Sequence, residues 1–126
     1  MDRFFFLSGA VAAFIAVALG AFGAHSLRTK LSPEMLAIFE VGVRYQMYHA
    51  FGLIAVAWAM ARWPEANLNG AGWAFIFGIL IFSGSLYLLS ITDVRWLGAI
   101  TPIGGLAFLL GWAILIWSIG RRLGLE

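Results

Sequence analysis

Charged residues divide the chain into four long apolar segments. The windows that contain no Asp, Glu, Lys or Arg are residues 4–27, 45–61, 66–92 and 96–120. A helix rises 1.5 Å per residue, so about 20 residues cross a hydrocarbon core of ~30 Å. Three windows reach this length, and the second can extend outward through Val43. The pattern therefore predicts four transmembrane helices, the first to fourth spans.

Polar and helix-breaking residues fill the connections between the later spans. Residues 62–70 (RWPEANLNG) separate the second span from the third, with Pro64 among polar neighbours. Residues 92–96 (TDVRW) are short enough for a tight turn between the third span and the fourth. Pro and clustered Asn, Asp and Gly are typical of loops, so both connections agree with the assignment of spans.

The connection between the first two spans is longer and contains a helix start. Ser32 provides a capping hydroxyl, Pro33 suits the first turn, and Glu34 places an acid near the positive end of the helix dipole. Apolar residues then recur at helical spacing. We expect a short interfacial helix that bends near Gly42, and the alternative is one long helix that runs into the second span.

The first span also resembles a secretory signal peptide. Ala21 and Gly23, on either side of Phe22, are small enough for a cleavage site. The amino-terminal region is not clearly basic, because Asp2 offsets Arg3. We therefore expect a retained membrane span.

Composition supports the bilayer as the solvent of this chain. Hydrophobic residues make up 63% of it and charged residues 11%, with a mean hydropathy of +0.95. Soluble domains carry about 25% charged residues. The expected fold is all-α: a membrane-spanning four-helix bundle that forms a single domain over residues 1–126. The expected location is the cell membrane, as a multi-pass protein of the bacterial inner membrane.

Charge and cysteine content exclude several classes of function. The net charge is +2 and no run of five basic residues occurs, which argues against nucleic-acid binding. The absence of cysteine excludes disulfides, thiolate metal sites and cysteine nucleophiles. None of the four windows contains a carboxylate, which argues against a proton relay or a small multidrug transporter. Lys and Arg divide equally between the two sides, and paired arginines at residues 121–122 favour both termini inside.

Threading the spans gathers polar residues on the side opposite the termini, here termed side B. His25 ends the first span, and His49 is expected about four residues, ~6 Å, into the second. Tyr87 lies near the end of the third span, and Thr101 is expected ~8 Å into the fourth, where Pro102 predicts a kink. The sequence thus predicts a polar pocket open toward side B. Its candidate ligand-binding residues are His25, Tyr45, Gln46, His49, Ser83, Ser85, Tyr87 and Thr101.

These residues also have structural interpretations. His25 and His49 are candidates for metal or haem ligands, but no third histidine or deeply placed carboxylate completes a site. Alternatively His25 caps the first span, and His49 bonds to Tyr87 or to a serine. We expect no metal, no cofactor and no catalytic residue.

Four motifs resemble a known family of small membrane proteins. They are GAFGAH, YQMYH, FSGSLY and LGAITPIGG, followed by a later GW. The family includes transmembrane protein 256 of animals and bacterial proteins grouped as domain of unknown function 423. The resemblance implies a four-helix membrane protein and supplies no activity. Its motifs coincide with the residues that threading places at side B.

The sequence leaves three functions open, of which an enzyme or transporter has only a possible His–Ser contact in its favour. The first is a non-enzymatic structural or accessory membrane protein, whose partners are membrane lipids and a second copy of itself or a larger membrane complex. The alternative is a protein that binds a lipid, a quinone or another small amphiphile in the pocket at the end of the bundle that holds His25 and His49.

Overall fold

The computed structural model describes residues 1–124, so residues 125 and 126 of the predicted domain lie outside the described part. Within residues 1–124 the chain is all-helical and contains no strand, which confirms the all-α class. Four helices follow one another along the chain: α1 (Asp2–Leu27), α2 (Pro33–Arg62), α3 (Asn69–Thr92) and α4 (Thr101–Arg122).

Three of these helices are long and apolar enough to cross a membrane. They are α1, α3, and α4 together with the short 3-10 turn Arg95–Ala99 that precedes it, with mean hydropathies of 2.3, 2.2 and 2.1. The remaining helix, α2, has 30 residues and carries more polar side chains.

Helix α2 is continuous, so the short interfacial helix expected before the second span is wrong. The predicted start is confirmed, because the Ser32 hydroxyl accepts a hydrogen bond from the Met35 backbone N–H at 3.2 Å. The α-helix runs without interruption through Gly42. This residue lies where α2 meets α3, and a Cβ added there would be 2.8 Å from Cε1 of Tyr87. The glycine permits close packing of two helices, and the alternative of one long helix is confirmed.

Helices α1 and α2 pack antiparallel along most of α1. Gly23 contacts the ring of Phe39 near one end, and Gly9 faces Ala50 farther along. A Cβ at Gly9 would lie 2.7 Å from the Ala50 carbonyl oxygen. Small residues therefore bring the two backbones close together, as is common between membrane helices.

Helix α3 contains a π-helical segment that the sequence did not predict. It spans Ile79–Ser83 and contacts α4. A Cβ on Gly104 of α4 would lie 2.7 Å from the Cβ of Phe82, and would also meet the Phe82 backbone. The wider turn of α3 and this glycine of α4 thus form one close contact.

Helix α4 begins later than the sequence predicted, so the kink expected at Pro102 is wrong. Helix α3 ends at Thr92, and the Asp93 that follows adopts a left-handed conformation with φ of 54°. The 3-10 turn follows, and Pro102 then lies in the first turn of α4. Proline suits this position because its missing N–H has no partner to lose there.

The exterior of the molecule is apolar. Phe14, Ile116 and Trp117 are 77%, 71% and 67% exposed. A soluble monomer rarely exposes so much contiguous apolar surface, whereas a lipid-facing protein requires it.

Ion pairs mark the two ends of the helices. On side B, Arg95 bonds to Glu34 at 3.2 Å and lies 3.3 Å from Asp93. At the other end, side A, Arg122 bonds to Glu65 at 3.0 Å. These pairs are exposed, and each contributes little to stability.

Candidate functional site

Gln46 connects three helices at the middle of α2. Its side chain is 4% exposed. The amide nitrogen donates to the Ala12 carbonyl oxygen of α1 at 2.9 Å, and the amide oxygen accepts from the Tyr87 hydroxyl of α3 at 2.7 Å. A glutamine amide offers both a donor and an acceptor, so one side chain can join two neighbouring helices.

His49 connects α2 to α4. Its Nδ1–H donates to the Tyr45 carbonyl oxygen at 2.7 Å, since a carbonyl can only accept. Its Nε2 accepts from the indole N–H of Trp112 at 3.1 Å. The imidazole also stacks on Phe108, with centroids 3.4 Å apart and planes 5° apart. The contacts therefore describe a neutral imidazole with both nitrogens engaged, which does not resemble a free metal ligand.

The hydroxyl groups of α3 make two more contacts between helices. Ser83 donates to the Gly42 carbonyl oxygen of α2 at 2.7 Å. Ser85 donates to the Phe82 carbonyl oxygen at 2.9 Å and lies 2.7 Å from the Thr101 hydroxyl of α4. Because the single proton of Ser85 is used toward Phe82, Thr101 is the donor in the second bond.

His25 and Tyr45 differ from the other candidates in being exposed. His25 lies in the π-helical last turn of α1, away from the contacts of Gln46 and His49. The Tyr45 ring is 38% exposed and packs at 4.8 Å from Phe82. The structure therefore does not bring His25 together with His49.

The remaining candidates lie at different heights. Because α2 begins at Pro33, His49 lies about 24 Å into its helix, not ~6 Å. Thr101 bonds to Ser85, whereas Trp112 bonds to His49 eleven residues, about 16 Å, farther along α4. The predicted residues thus form separate pairs within the helix packing, not one polar pocket at side B. Whether they bind a ligand stays a prediction.

Two crevices flank α2. One, of about 480 Å³, lies between α1 and α3 and has an almost entirely apolar lining, with Ser8, Gln46 and Tyr87 as its polar residues. The other, of about 400 Å³, lies between α2 and α4 and is mainly aromatic. Tyr45 and His49 lie beside the second crevice. The candidate residues that reach a cavity are therefore divided between two surfaces.

The described residues contain no metal-ligand cluster and no orphaned polar group. Within residues 1–124, no group of three or more His, Asp or Glu side chains could hold a metal ion. In the same part of the chain, every buried side-chain nitrogen and oxygen has a hydrogen-bond partner. The polar side chains of the interior are therefore satisfied by the protein itself.

The sequence did not predict three of the groups to which the candidate residues form hydrogen bonds. Two are the backbone carbonyls of Ala12 and Gly42, which carry no sequence signal. The third is Trp112. Its signal was present, because Phe108 and Gly111 indicate the buried face of α4 and Trp112 lies beside it.

The apolar exterior and the hydrogen bonds between helices define an α-helical membrane protein. Residues 19–105 match the family described as Protein of unknown function (DUF423), and the chain belongs to that family. This confirms the resemblance seen in the motifs.

Bacterial relatives agree over nearly the whole chain. A UPF0382 membrane protein of Staphylococcus epidermidis is 49% identical over 90% of this chain and 93% of its own length. The UPF0382 membrane protein YwdK of Bacillus subtilis is 45% identical over 90% of this chain and 94% of its own. One from Staphylococcus haemolyticus is 46% identical over 97% and 99%. No solved structure matches the chain.

Proposed function

We propose that this protein is a four-span scaffold of the bacterial inner membrane, with a structural or accessory role and no reaction of its own. The observation that carries the proposal is the complete pairing of buried polar side chains within residues 1–124. Gln46, His49 and Ser83 each form a hydrogen bond to a neighbouring helix. Groups used in this way hold helices together in hydrocarbon, where an unpaired polar group costs several kcal/mol.

In this proposal α2 crosses the membrane in addition to α1, α3 and α4. Its 30 residues extend about 45 Å, and it packs antiparallel on α1 from Phe39 to beyond Ala50. If α1 crosses the bilayer, α2 crosses beside it. The less apolar composition of α2 is compatible with this, because its Gln46 and His49 are buried by protein and not by lipid.

Cysteine labelling tests the four-span topology. The chain has no cysteine, so Thr29→Cys and Asn67→Cys each introduce a single thiol in an exposed connection. We expect a membrane-impermeant maleimide to label the two from opposite sides, with Asn67 on the inner side together with the termini. Labelling of both from the same side would contradict a membrane-crossing α2.

Substitution of His49 tests the structural role. We expect His49→Ala to lower the thermal unfolding temperature in detergent, because it removes the bond to Trp112 and the stacking on Phe108. Native mass spectrometry of protein extracted without delipidation measures any bound molecule in parallel. Loss of a bound molecule with unchanged thermal stability would contradict the scaffold proposal and indicate a binding site.

A second candidate function is the binding of a lipid acyl chain or a quinone in the crevice between α1 and α3. Its volume of about 480 Å³ and apolar lining favour such a ligand. Gln46 uses one of its two amide protons on Ala12, and the Tyr87 oxygen can still accept a bond. This candidate places the ligand beside Gln46 and Tyr87, away from His25.

A pair of glycine substitutions tests the second candidate. Gly84 lines the crevice, and a Cβ there meets no atom within 4 Å, so a larger side chain can start from this position and Gly84→Phe is designed to occupy the space. Gly98 is equally open and lies outside the crevice, which makes Gly98→Phe the control. We expect Gly84→Phe alone to lose co-purified lipid or quinone, and equal retention by both variants would exclude this site.

A further inference from the structure

Most of the exposed positions of α2 between Ala37 and Trp58 form a single stripe, and Tyr45 lies beside it. They recur at steps of three or four residues, as one face of a helix requires. The other faces of α2 are buried against the rest of the bundle. The stripe, here termed the α2 face, consists of Ala37, Glu40, Arg44, Tyr48, Phe51, Ala55 and Trp58.

Two opposite charges lie within this otherwise apolar and aromatic face. Glu40 and Arg44 are about 9 and 15 Å along α2 from Glu34, whose ion pair marks side B. Both are exposed, and among residues 1–124 neither has an ion pair or a side-chain hydrogen bond. Toward side A the α2 face continues with Tyr48 and Phe51.

Charges at this depth need a partner. In the four-span arrangement proposed above, α2 extends about 45 Å, whereas the hydrocarbon core is ~30 Å thick. Arg44, about 15 Å from side B, then lies at or below the hydrocarbon boundary. Ionisable residues at such positions pair with other groups and do not face acyl chains. The required surface must offer an acid to Arg44 and a base to Glu40, and a lipid phosphate offers only the first.

We propose that the α2 face binds a second copy of this chain, with Glu40 of each copy paired to Arg44 of the other. The inference rests on the proposed membrane-crossing α2. A two-fold axis along the membrane normal sets two α2 helices side by side and parallel, so one contact generates its symmetric equivalent. Glu40 and Arg44 differ in height by about 6 Å, which their long side chains bridge as between g and e positions of a parallel coiled coil.

The rest of the α2 face suits the same arrangement. Tyr48, Phe51 and Trp58 are 53%, 60% and 62% exposed and supply apolar contact below the charges. Ala55 is a small residue between them that allows the two helices to approach. The contact thus has a charged end toward side B and an aromatic end toward side A.

Disulfide trapping tests the contact in the full chain. Phe51→Cys is the probe, and Phe14→Cys on the exposed face of α1 is the matched control, because the natural chain has no cysteine. Each variant is reconstituted in lipid vesicles at a low protein-to-lipid ratio and oxidised. We expect a covalent dimer from Phe51→Cys and none from Phe14→Cys. Equal trapping of both, or of neither, would overturn the proposal.

Charge reversal in the Phe51→Cys background tests the pairing itself. Glu40→Arg leaves four cations at the contact, and Arg44→Glu leaves four anions, so each alone should reduce trapping at least about tenfold. A mixture of the two variants restores both Glu–Arg pairs between different copies. We expect trapping to return in the mixture as a mixed dimer.

The mixture separates contact between copies from a bond within one helix. Rescue by the double variant Glu40→Arg/Arg44→Glu without rescue in the mixture would show a pair within one helix and overturn the proposal. Trapping that is unchanged by either reversal would overturn it as well. Cysteine labelling at Thr29 and Asn67 is measured separately, so a wrong topology is distinguished from a wrong interface.

Discussion

Helix α2 differs from α1 and α4 in how apolar it is and in how much of it is buried. Helices α1 and α4 are more apolar than α2, yet only 17% of the residues in the apolar 18-residue stretch of each are buried. Helix α2 carries Gln46 and His49, which are 4% and 5% exposed. The least apolar helix is therefore more enclosed than α1 and α4, which reverses the order expected of a soluble protein.

The solvent explains this difference. Lipid chains are as apolar as Leu or Phe, so an apolar helix gains no hydrophobic free energy when it leaves lipid for the protein interior. A polar side chain does gain, because the interior offers partners that hydrocarbon lacks. The packing of the four helices is thus organised by the hydrogen bonds and close contacts of α2 and α3, whereas α1 and α4 are mostly exposed.

The largest loss of stability should come from adding an atom at the close contact between α3 and α4. Gly104→Ala adds a Cβ against Cβ and backbone atoms of Phe82, which cannot move aside as a flexible side chain can. We expect a loss of about 2 kcal/mol in the free energy of unfolding, measured by denaturant titration in mixed micelles. Gly105→Ala is the control, because its Cβ would reach Phe82 only at 3.9 Å. Equal effects of the two variants would show that the close contact is not a source of stability.

The next effect should come from removing the central amide. Gln46→Leu deletes the bonds to Ala12 and Tyr87 while it keeps a side chain of similar size. Single hydrogen bonds between membrane helices contribute about 0.6 kcal/mol on average, so we expect a loss of about 1 kcal/mol, measured by the same titration. A gain in stability would mean that the amide is kept for a ligand and not for the fold.

A smaller effect should follow from loss of one donor. Trp112→Phe removes the indole N–H that bonds to Nε2 of His49 and keeps an aromatic ring. We expect about 0.6 kcal/mol of destabilisation. If ring packing dominates this contact, Trp112→Phe will be neutral while His49→Ala still destabilises.

The smallest effect should appear on the outer face of α1. Phe14 is 77% exposed, so Phe14→Ala exchanges one lipid contact for another. We expect a change within about 0.5 kcal/mol. A loss as large as that of Gln46→Leu would contradict the contrast between inner and outer helices and would reveal a protein partner on α1.

The sequence predicted which segments are helical better than it predicted how far each residue lies from the end of its helix. Ser32 and Pro33 correctly located the start of α2, and Pro64 lies between α2 and α3 as expected. The assigned spans, however, ended at charged residues, although α2 continues through Glu40 and Arg44. That difference placed His49 too close to side B. A charge limits a span only if it lies outside the hydrocarbon, and composition does not report this.

The sequence predicted which polar side chains would form hydrogen bonds in the interior, but it did not predict most of the groups to which they bond. Gln46, Ser83 and Tyr87 do meet other polar groups, as hydrocarbon requires. Their partners include backbone carbonyls, which every residue carries and no sequence pattern marks. The π-helical segment Ile79–Ser83, which contacts α4, was equally unforeseen.

The position of Gln46 also bears on how the chain is assembled during synthesis. Ala12 is made before Gln46, whereas Tyr87 emerges forty-one residues after it. In the four-span arrangement proposed above, a newly inserted pair of α1 and α2 therefore carries an amide oxygen that has no hydrogen-bond donor until α3 enters the membrane. Such an intermediate exposes one polar atom to lipid. The insertion of α3 then supplies the Tyr87 hydroxyl, which donates to that atom.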